Sequence, residues 1–516
     1  MRNEEERSRF PWTPAGLIAL FILLKIIITL FPFNYGYFRD ELYYVALSDN
    51  PAFGYVDVPP AAPFLLFLIR SLFGTSLFSL HLLPALSGGL FVLLAGMIVK
   101  KLGGGLFAIG LTLTCVTLAP QFIGTDSIYT YDTFDKLLWA AVLYFLLRLL
   151  QTDDERLWIP IGLCVGLGFL TKVTILFLVG ALVLGMFLTR DRKRIFRPRF
   201  FGGAGLALAV ASPFLAWQIL NRFPTLEFYA KYASGKTYPV TPLQFILDQV
   251  IVLNPAAALV WILGLGYILF HREGRRYRSL GIAYAALLVL FIALKAKYYM
   301  LAPFYPVLFA AGAVAFETYL RSRPRPARAL KPITLAVIGM SSLVLMPMSR
   351  PLLPVETYIK VTSGWTGVKQ ETHQLAQLPQ HYADRFGWPE LAAQIAAVYK
   401  SLPEDERAKA AIFTENYGEA GAVWLFGREL GLPRPISGHN QYFLWGPRDA
   451  TGEILITFGV DRKDAEEVYL DVTEAGRFRH PYVMPYENDQ PIFICRKPKD
   501  PSMTLRAFWP NVKNFS

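Results

Sequence analysis

The sequence predicts an α-helical polytopic membrane protein with about eleven transmembrane helices and one juxtamembrane helix, followed by a soluble α/β domain. Three observations support this prediction. Of the 516 residues, 54% are hydrophobic and 17% are charged, against roughly 25% charged in soluble domains, which excludes an ordinary soluble enzyme. Apolar runs of membrane-spanning length repeat through the first 348 residues. From Ser349 onward the pattern becomes that of a soluble domain.

A membrane-spanning helix needs about 20 predominantly apolar residues. The stretch at 60–73 is shorter, begins with a proline pair and contains Arg70, so we assign it to a helix beside the membrane. The first apolar run has no cleavage site after it and is expected to remain as a span. We expect the transmembrane domain to cover 1–348 and the soluble domain 349–516. The predicted spans are 13–34, 77–99, 104–122, 134–150, 157–171, 173–189, 200–220, 244–270, 279–294, 298–320 and 332–348.

Basic charge is concentrated in the membrane region. The first 348 residues contain 32 Lys and Arg against 18 Asp and Glu, and the remainder contains 19 against 21. If the stretch 60–73 does not cross the membrane, every basic cluster faces the same side of the membrane. The positive-inside rule identifies that side as cytoplasmic. The N-terminus is then cytoplasmic and the C-terminal domain lies outside, and we predict no nucleic-acid partner. The clusters are Arg2, Arg7 and Arg9; Lys100 and Lys101; 190–199; 272–278; and 321–331.

The C-terminal part is predicted to form a small α/β layer. Turn signals at Leu432-Pro433 and Trp445-Gly446-Pro447 separate its elements. The predicted helices are 388–401, 418–430 and 461–468, and the predicted strands are 410–414, 453–459 and 490–495.

Two acidic loops on the predicted outer side contain the candidate functional residues. The first carries Asp40 and Glu41 among aromatic residues and continues to Asp57, just before Pro59-Pro60. At the membrane interface the dielectric constant is lower than in water, so the pKa of a carboxylate can rise toward that of a useful base. The alternative is a solvated loop that contains a few acids.

The second loop contains Asp132 at the start of a predicted helix. A helix would place Asp132 and Lys136 on one face; the alternative is a helix cap with a surface ion pair. Lys172, Lys295 and Lys297 also lie on the predicted outer side, where basic residues are few. An anionic headgroup would account for these lysines, and the alternative is that they anchor helix ends at the interface.

The order of these motifs resembles glycosyltransferase family 39. This family includes the protein O-mannosyltransferases and the bacterial aminoarabinose transferases, and its membrane fold is called GT-C. Each motif has low specificity alone. The resemblance rests on the order of the motifs over about residues 37–306 and on their predicted location on the same side of the membrane. The motifs are Asp40-Glu41, Asp57-x-Pro-Pro before the juxtamembrane helix, Asp132, Leu170-Thr171-Lys172, and Lys295-x-Lys297-Tyr298-Tyr299 before Pro303.

The resemblance implies transfer of a sugar, with inversion, from a polyprenyl-phosphate donor to a hydroxyl acceptor. The reaction is expected at the outer face of the plasma membrane, within the cell envelope. By position, Asp40 is the implied catalytic base and Glu41 its neighbour in the motif. The Asp57-Val58 pair departs from the aminoarabinose branch and favours a neutral sugar. The implied substrate-binding residues are Asp57, Asp132, Lys172, Lys297 and Tyr298, with Arg39 and Arg70 as further candidates.

The residue types suit this chemistry. Inversion needs one base at the acceptor, and a phosphate leaving group needs cations rather than a protonated acid. The donor's tail can remain in the bilayer, since removing it would lose about 0.8 kcal/mol per CH₂. No cofactor is predicted. Asp40, Asp57 and Asp132 offer oxygen ligands of the kind that Mg²⁺ or Mn²⁺ prefers, so a divalent metal stays an alternative, although the resemblance implies none.

Two other functions stay open. A lipid-linked sugar transporter or flippase would need polar residues along its spans, but the middles of these spans are nearly free of charge. A noncatalytic envelope assembly protein would not need Asp40. The exported domain is expected to cover the active-site cleft or to help select the acceptor. It contains two polar and aromatic stretches, 416–420 and 437–446, and the second either stacks on a sugar or forms a packed loop.

Overall fold

The computed structural model describes residues 13–30, 35–235, 241–363, 377–500 and 504–516. Its internal packing divides the chain into two compact units, which we call the helical unit and the mixed unit. The predicted cluster of Arg2, Arg7 and Arg9 lies outside the described residues. The helical unit contains Met1–Pro32, Phe78–Leu215 and Tyr238–Leu352, and the mixed unit contains Phe33–Leu77, Ala216–Thr237 and Leu353–Ser516.

The described chain is mostly helical, as predicted. The α-helices before residue 350 are α1 Pro14–Leu30, α2 Arg39–Ser48, α3 Ala61–Phe73, α4 Leu77–Lys101, α5 Leu106–Leu118, α6 Pro120–Asp126, α7 Asp132–Thr152, α8 Trp158–Thr171, α9 Ile175–Phe187, α10 Arg192–Ile195, α11 Pro198–Leu220, α12 Pro224–Gly235, α13 Pro242–Val252, α14 Ala258–Phe270, α15 Arg278–Ala293, α16 Tyr305–Arg321 and α17 Leu330–Ser349. Short 3₁₀ segments are Glu155–Leu157, Pro255–Ala257, Gly274–Tyr277, Tyr298–Phe304 and Arg325–Ala329.

Several helices have the length and composition of membrane spans. Five continuous segments in the described ranges pass this criterion: Leu77–Lys101, Pro198–Leu220, Gly274–Ala293, Tyr298–Arg321 and Pro326–Ser349. If two bent pairs each count as one span, the number rises to seven. The prediction of a polytopic helical protein is therefore confirmed, and the figure of eleven spans stays a prediction.

The two bent pairs correspond to predicted spans that are not straight. Predicted span 104–122 bends by 54° between α5 and α6, and predicted span 244–270 bends by 96° between α13 and α14. Pro120 and Pro255 follow the two breaks. Proline lacks a backbone N–H, so it can begin a helix but interrupts one that would continue through it.

Glycines allow close backbone contact between α14 and α16 in the helical unit. A Cβ atom at Gly264 would lie 1.9 Å from the carbonyl oxygen of Leu308, and one at Gly312 would lie 1.7 Å from that of Val260. Small residues at helix crossings permit this approach inside a membrane. The contact fixes the start of α16, which directly follows the Tyr298–Phe304 segment.

The mixed unit contains a four-stranded sheet with helices. Its α-helices after residue 350 are α18 Val355–Thr362, α19 Gln380–Ala383, α20 Trp388–Ser401, α21 Glu404–Arg407, α22 Tyr417–Phe426, α23 Gln441–Trp445, α24 Arg462–Val468 and α25 Leu505–Phe508, with a 3₁₀ turn at Trp509–Val512. The strands are β1 Ala410–Thr414, β2 Ile454–Phe458, β3 Tyr469–Phe478 and β4 Gln490–Pro498.

The sheet order is β1-β2-β4-β3, in which β1 and β2 are parallel and the other pairs antiparallel. Ile412 lies opposite Ile456, which lies opposite Ile494. These side chains form one core with Leu391 and Ile395 of α20. Buried aliphatic residues thus fix the register, because a slip of one residue would turn them away from the core.

Most of the predicted C-terminal elements are present. The predicted helix 388–401 and strand 410–414 match α20 and β1, whereas the predicted helix 418–430 ends at Phe426. Strand β3 has no counterpart among the predictions. It is an edge strand that is partly exposed, with Leu470 69% exposed, so it lacks the apolar alternation that identifies a half-buried strand.

The stretch predicted at 60–73 is helix α3, which has 13 residues and is too short to span a bilayer. It belongs to the mixed unit with α2 and α12. Its position beside the membrane stays a prediction. The predicted limit between 348 and 349 lies near the end of the helical unit at Leu352, and the division into two domains stays a prediction.

We expect Gly264→Ala to lower the free energy of unfolding, because the added methyl group would overlap the Leu308 carbonyl. Overpacking typically costs about 1–3 kcal/mol. Gly266→Ala is the matched control, since nothing lies within 4 Å of a Cβ atom at Gly266 in the same helix. Thermal unfolding of the detergent-purified proteins compares the two. Equal midpoints for both variants would contradict the close helix contact.

Candidate functional site

A pocket in the helical unit contains two of the predicted site residues, Asp132 and Lys172. We call it the lysine pocket. Its lining residues are Gln121, Phe122, Thr125, Asp132, Asp135, Lys136, Lys172, Thr174, Tyr299, Met300, Ala302 and Pro303.

Lys172 forms the central ion pair of the lysine pocket. Its Nζ lies 2.6 Å from Oδ1 of Asp132. It also lies 4.8 Å from the ring centroid of Tyr131 and 5.2 Å from that of Tyr299. The side chain of Lys172 is only 6% exposed, and a buried ammonium group needs such partners to offset its lost hydration. The structure therefore brings Asp132 and Lys172 together.

The local backbone explains how Lys172 reaches the pocket. Helix α8 ends at Thr171, and Lys172 adopts an extended conformation before the chain turns into α9. Asp132 is the first residue of α7, where the helix dipole favours a carboxylate. The break between two short helices thus directs a lysine toward the start of a third.

A second buried ion cluster adjoins the lysine pocket. Asp126 pairs with both Lys25 and Lys136, and the distance from Lys25 Nζ to Oδ2 is 2.8 Å. Lys25 also donates to the Phe122 carbonyl at 2.8 Å. Lys136 thus pairs with the buried Asp126 and not with Asp132, so the surface ion pair given as the alternative for this helix start does not form.

Sequence reasoning did not select Asp126, Lys136 or Lys25 as site residues. A usable signal was present, since Lys25 lies in the middle of the first apolar run. A lysine at such a position requires a partner. Asp135 was also missed; Trp139 Nε1 and Thr174 Oγ1 donate to its carboxylate at 3.1 and 3.2 Å.

Lys297 and Tyr298 lie next to the lysine pocket in sequence but do not line it. Lys297 Nζ is 5.9 Å from the ring centroid of Tyr299. The carbonyl of Tyr298 accepts a hydrogen bond from Gln249 Nε2 at 2.9 Å. Tyr299, rather than Tyr298, is the tyrosine of this motif that lines the pocket.

In the mixed unit, Asp40 occupies the first turn of α2. The Tyr417 hydroxyl donates to Oδ1 of Asp40 at 2.8 Å, and Arg39 Nε lies 3.9 Å from the same oxygen. The Asp40 side chain keeps 34% of its surface exposed. The carboxylate of Asp40 is thus fixed by Tyr417 and Arg39 but remains accessible to solvent.

Glu41, the next residue, has a different environment. It is fully buried, and Oε2 accepts a hydrogen bond from the backbone N–H of Phe38 at 2.9 Å. This contact stabilises the start of α2 in the manner of a capping glutamate. The two acids of the predicted pair therefore differ in accessibility.

Asp57 is held by groups on two elements of the mixed unit. The Tyr43 hydroxyl donates to Oδ1 at 2.8 Å, and Asn440 Nδ2 donates to Oδ2 at 3.0 Å. Burial, together with the nearby Asp40, raises the pKa of Asp57 to about 7, although these hydrogen bonds oppose the rise. Asp57 therefore changes its charge in the neutral pH range.

The two predicted arginines make contacts within the mixed unit. Arg39 NH1 lies 3.6 Å from Oδ2 of Asp384 and donates to the Tyr486 hydroxyl at 3.3 Å. Arg70 NH1 lies 2.7 Å from Oδ1 of Asp49 and donates to Ser48 Oγ at 2.6 Å. Arg70 thus joins α3 to the end of α2, while Arg39 stays beside Asp40.

The stretches 416–420 and 437–446 supply the partners of Asp40 and Asp57. Asn416 begins α22 by accepting hydrogen bonds from the N–H groups of Gly418 and Glu419, which fixes the position of Tyr417. The backbone N–H of Gln441 donates to the Tyr43 hydroxyl at 3.1 Å. Both stretches are therefore packed segments that hold the predicted acids.

Each unit thus contains its own group of predicted site residues. Asp40, Glu41, Asp57, Arg39 and Arg70 belong to the mixed unit, and Asp132, Lys172, Lys297 and Tyr298 to the helical unit. A common surface for all of them stays a prediction. Among the residues that the structure describes, no group of three or more His, Cys, Asp or Glu side chains is arranged to hold a metal ion.

Comparisons with known proteins find relatives in the predicted family. Residues 57–217 match the model of the dolichyl-phosphate-mannose-protein mannosyltransferase family. A 160-residue segment is 28% identical to undecaprenyl phosphate-alpha-4-amino-4-deoxy-L-arabinose arabinosyl transferase 1 of Pseudomonas fluorescens. This match covers 30% of the chain and spans 29% of the length of that relative.

The fold is similar over almost the whole chain to that of ArnT from Cupriavidus metallidurans. The crystal structure of ArnT bound to undecaprenyl phosphate has a TM-score of 0.61 at 15% identity, covering 93% of this chain and 98% of ArnT. The apo structure gives the same score at 14% identity and the same coverage. The matching family is named as a mannosyltransferase and the Pseudomonas relative as an arabinosyl transferase, which agrees with the predicted enzyme class. The predicted resemblance is therefore confirmed as a similarity: residues 57–217 are similar to this family of transferases, and the fold of the chain is similar to that of ArnT.

Proposed function

We propose that this protein is a membrane glycosyltransferase that transfers a sugar, with inversion, from a polyprenyl-phosphate donor to a hydroxyl acceptor. The family and relative names differ in the sugar, but both include a lipid phosphate, dolichyl or undecaprenyl. One structural relative was crystallised with undecaprenyl phosphate. The lipid phosphate common to these names supports a lipid-phosphate donor for this chain, whereas the names do not agree on the identity of the sugar.

The observation that carries the proposal is the Lys172–Asp132 pair in the lysine pocket. A lysine that is almost fully buried has already lost most of its hydration, so it can bind an anion without further loss. Asp132 is more exposed than Lys172, and it can yield to an incoming phosphate. We assign Lys172 to binding the donor phosphate, and we assign Asp132 to positioning Lys172.

The charge change of the reaction explains the need for cations. The donor is a phosphodiester with one negative charge, and the departing lipid phosphate takes the electron pair of the sugar C1–O bond and gains a second charge. Fixed positive groups therefore stabilise the transition state more than the ground state. Lys136, which also lines the lysine pocket, adds to this field.

Asp40 is the proposed base. The acceptor hydroxyl loses its proton to Asp40 while its oxygen forms the new bond to C1 on the face opposite the leaving phosphate. Asp40 keeps an exposed surface, whereas Glu41 is buried and caps α2. We therefore assign the base to Asp40 and a structural role to Glu41.

The proposal includes the membrane arrangement predicted from charge. The protein would lie in the inner membrane with about eleven spans and a cytoplasmic N-terminus, and transfer would occur at the outer face with the C-terminal domain outside. The several apolar helices support an integral membrane protein. The concentration of Lys and Arg in the first 348 residues supports the orientation.

Asp40→Asn is expected to reduce transfer by about 10²–10⁴-fold, the usual contribution of a general base. The assay uses membranes supplied with radiolabelled undecaprenyl-phosphate sugars that differ only in the sugar. Asp464→Asn is the matched control, because Asp464 is an exposed acid of α24. Transfer by Asp40→Asn at the wild-type rate would refute the assigned base. Absence of transfer by the wild type with every donor and extracted envelope acceptor would refute the function.

Lys172→Gln is expected to weaken donor binding by about 10–100-fold, which corresponds to the loss of one charge-assisted hydrogen bond. Lys172→Arg keeps the positive charge and should retain part of the affinity. Binding of radiolabelled undecaprenyl phosphate to the purified protein measures the effect without turnover. Lys100→Gln, at an exposed helix end, is the control. Equal affinity of Lys172→Gln and wild type would remove Lys172 from the phosphate site.

Asp57 should make folding stability depend on pH. Its folded pKa of about 7 lies above the usual value of about 4 for an unfolded aspartate. The folded protein therefore holds one proton more between these values, and the contribution of Asp57 to stability falls as the pH rises from about 4 to about 7. Asp57→Asn cannot ionise and should lose this part of the slope, measured as thermal midpoints between pH 5 and 7.5. An unchanged slope would show that the Asp57 pKa is not raised.

A further inference from the structure

The mixed unit contains a group of aromatic and arginine side chains that the proposed reaction does not use. The rings of Trp424 and Trp445 lie 5.6 Å apart. The guanidinium carbon of Arg434 lies 4.6 Å from the Trp424 ring centroid, and that of Arg448 lies 5.1 Å from Trp424 and 5.7 Å from Trp445. We call these four residues the Trp-Arg cluster.

The positive charge of the Trp-Arg cluster is not neutralised by an ion pair. Within the described ranges, neither Arg434 nor Arg448 forms a salt bridge, in contrast to Arg462, which pairs with Glu466 at 3.3 Å. Burial and the nearby Arg434 both lower the pKa of Arg448. Two guanidinium groups that both contact the Trp424 ring and repel each other favour the binding of an anion.

Two polar groups in or beside the cluster also lack partners. One amino nitrogen of Arg448 and the hydroxyl of Tyr442 are buried, and neither has a hydrogen-bond partner among the residues that the structure describes. Tyr442 is 1% exposed, and its ring lies 4.9 Å from that of Trp445. A buried donor without an acceptor costs free energy, which a ligand oxygen would recover.

The chemistry of the Trp-Arg cluster defines the ligand class. The guanidinium fork matches the oxygens of a carboxylate or phosphate. Aromatic rings present an apolar face on which the C–H groups of a sugar ring can pack. Trp445 is partly exposed and Arg434 is exposed, so both kinds of contact can be reached from solvent. Together they fit a sugar that carries an acid group.

The position of the cluster connects it to the proposed base. A row of contacting rings leads from the cluster toward Asp40. The ring centroids of Trp445 and Tyr442 are 4.9 Å apart, those of Tyr442 and Tyr43 are 5.9 Å apart, and those of Tyr43 and Tyr417 are 4.9 Å apart. The Tyr417 hydroxyl donates to Asp40. Helix α23 thus links the two places: its first residue, Gln441, contacts Tyr43, and its last residue, Trp445, belongs to the Trp-Arg cluster.

We propose that the Trp-Arg cluster binds an acidic sugar of the acceptor molecule. The acceptor role rests on the proposed function, whereas the binding of an acidic sugar rests on the cluster alone. Trp, Tyr and Arg also dominate protein interfaces. A sugar is favoured here because the cluster is small and lies three ring contacts from a residue that holds the proposed base.

The test compares two probes that differ only in the acid group, methyl β-glucuronide and methyl β-glucoside. Isothermal titration calorimetry with the full-length purified protein should show the glucuronide binding at least about tenfold more tightly, because only it can pair with guanidinium. The double variant Arg434→Gln and Arg448→Gln should lose this preference. The paired Arg434→Lys and Arg448→Lys variant should keep part of it. Arg462→Gln is the control, since Arg462 also lies over an aromatic ring, that of Phe493.

Glucose 6-phosphate and inorganic phosphate separate an acidic sugar from a simple anion. We expect glucose 6-phosphate to compete with the glucuronide and inorganic phosphate to compete at least about tenfold less well, because phosphate alone gains nothing from the partly exposed ring of Trp445. Equal competition by the two would reduce the cluster to an anion site and overturn the proposal. Trp445→Leu should weaken the glucuronide and the glucoside alike.

Other outcomes separate this inference from the proposed function. Asp40→Asn should bind the glucuronide as wild type does, even where it no longer transfers sugar. Equal binding of the two methyl glycosides to wild type would overturn the acidic-sugar site and leave the transferase proposal intact. If the arginine variants change only self-association of the protein and not sugar affinity, the cluster is a protein contact and the inference is wrong. Thermal unfolding of each variant verifies that it is folded.

Discussion

Charged side chains that are removed from water must be paired, and this constraint organises the helical unit. Asp126 lies between Lys25 and Lys136, and all three side chains are almost fully buried. Removing one member would leave an uncompensated buried charge, at a cost of about 3–5 kcal/mol. Gly88 provides the space, because a Cβ atom there would lie 2.8 Å from both Asp126 Oδ2 and Lys25 Cε. One carboxylate thus joins α1, α6 and α7, and α7 carries Asp132 into the lysine pocket.

The pairing of buried charges also fixes the position of Asp40 within the mixed unit. Arg39 is mostly buried and is held by Asp384, Tyr486 and the face of Tyr417. Burial raises the pKa of Asp384 to about 6, although Arg39 opposes this rise. Because Arg39 is fixed from several sides, the next residue, Asp40, is fixed too. The accessible carboxylate therefore depends on a buried network that does not itself need to contact substrate.

Local patterns predicted the features that depend on local chemistry. Apolar runs identified membrane helices, and the buried aliphatic residues of β1 and β2 identified those strands. Strand β3 was missed because an exposed edge strand has no regular apolar face. The bends before Pro120 and Pro255 were missed because proline alone does not distinguish a helix start from a kink. The motif order predicted Asp132 and Lys172 as site residues, but not that they pair with each other.

Pairing partners could not be derived from spacing alone. Asp132 and Lys136 have the separation of a helical ion pair, yet Lys136 pairs with Asp126 and Asp132 with Lys172. The contact with Asp126 outweighed the one within the helix, because Asp126 is fully buried and needs cations more than the partly exposed Asp132 does. The grouping of Phe33–Leu77 with the C-terminal residues likewise depends on contacts hundreds of residues apart, such as that of Tyr417 with Asp40.

The adjacent acids Asp40 and Glu41 illustrate how one helix turn separates two functions. Successive residues of an α-helix point roughly 100° apart, so the two side chains cannot both face the same ligand. Glu41 turns back to the N–H of Phe38 and is removed from solvent, whereas Asp40 faces Tyr417 and retains exposed surface. A buried capping acid holds the helix start rigid, and this rigidity keeps the neighbouring carboxylate in one orientation. Under the proposed function, the Asp-Glu order therefore provides one acid that positions the helix start and one that accepts the proton, and reversing the two would place the proposed base inside the protein.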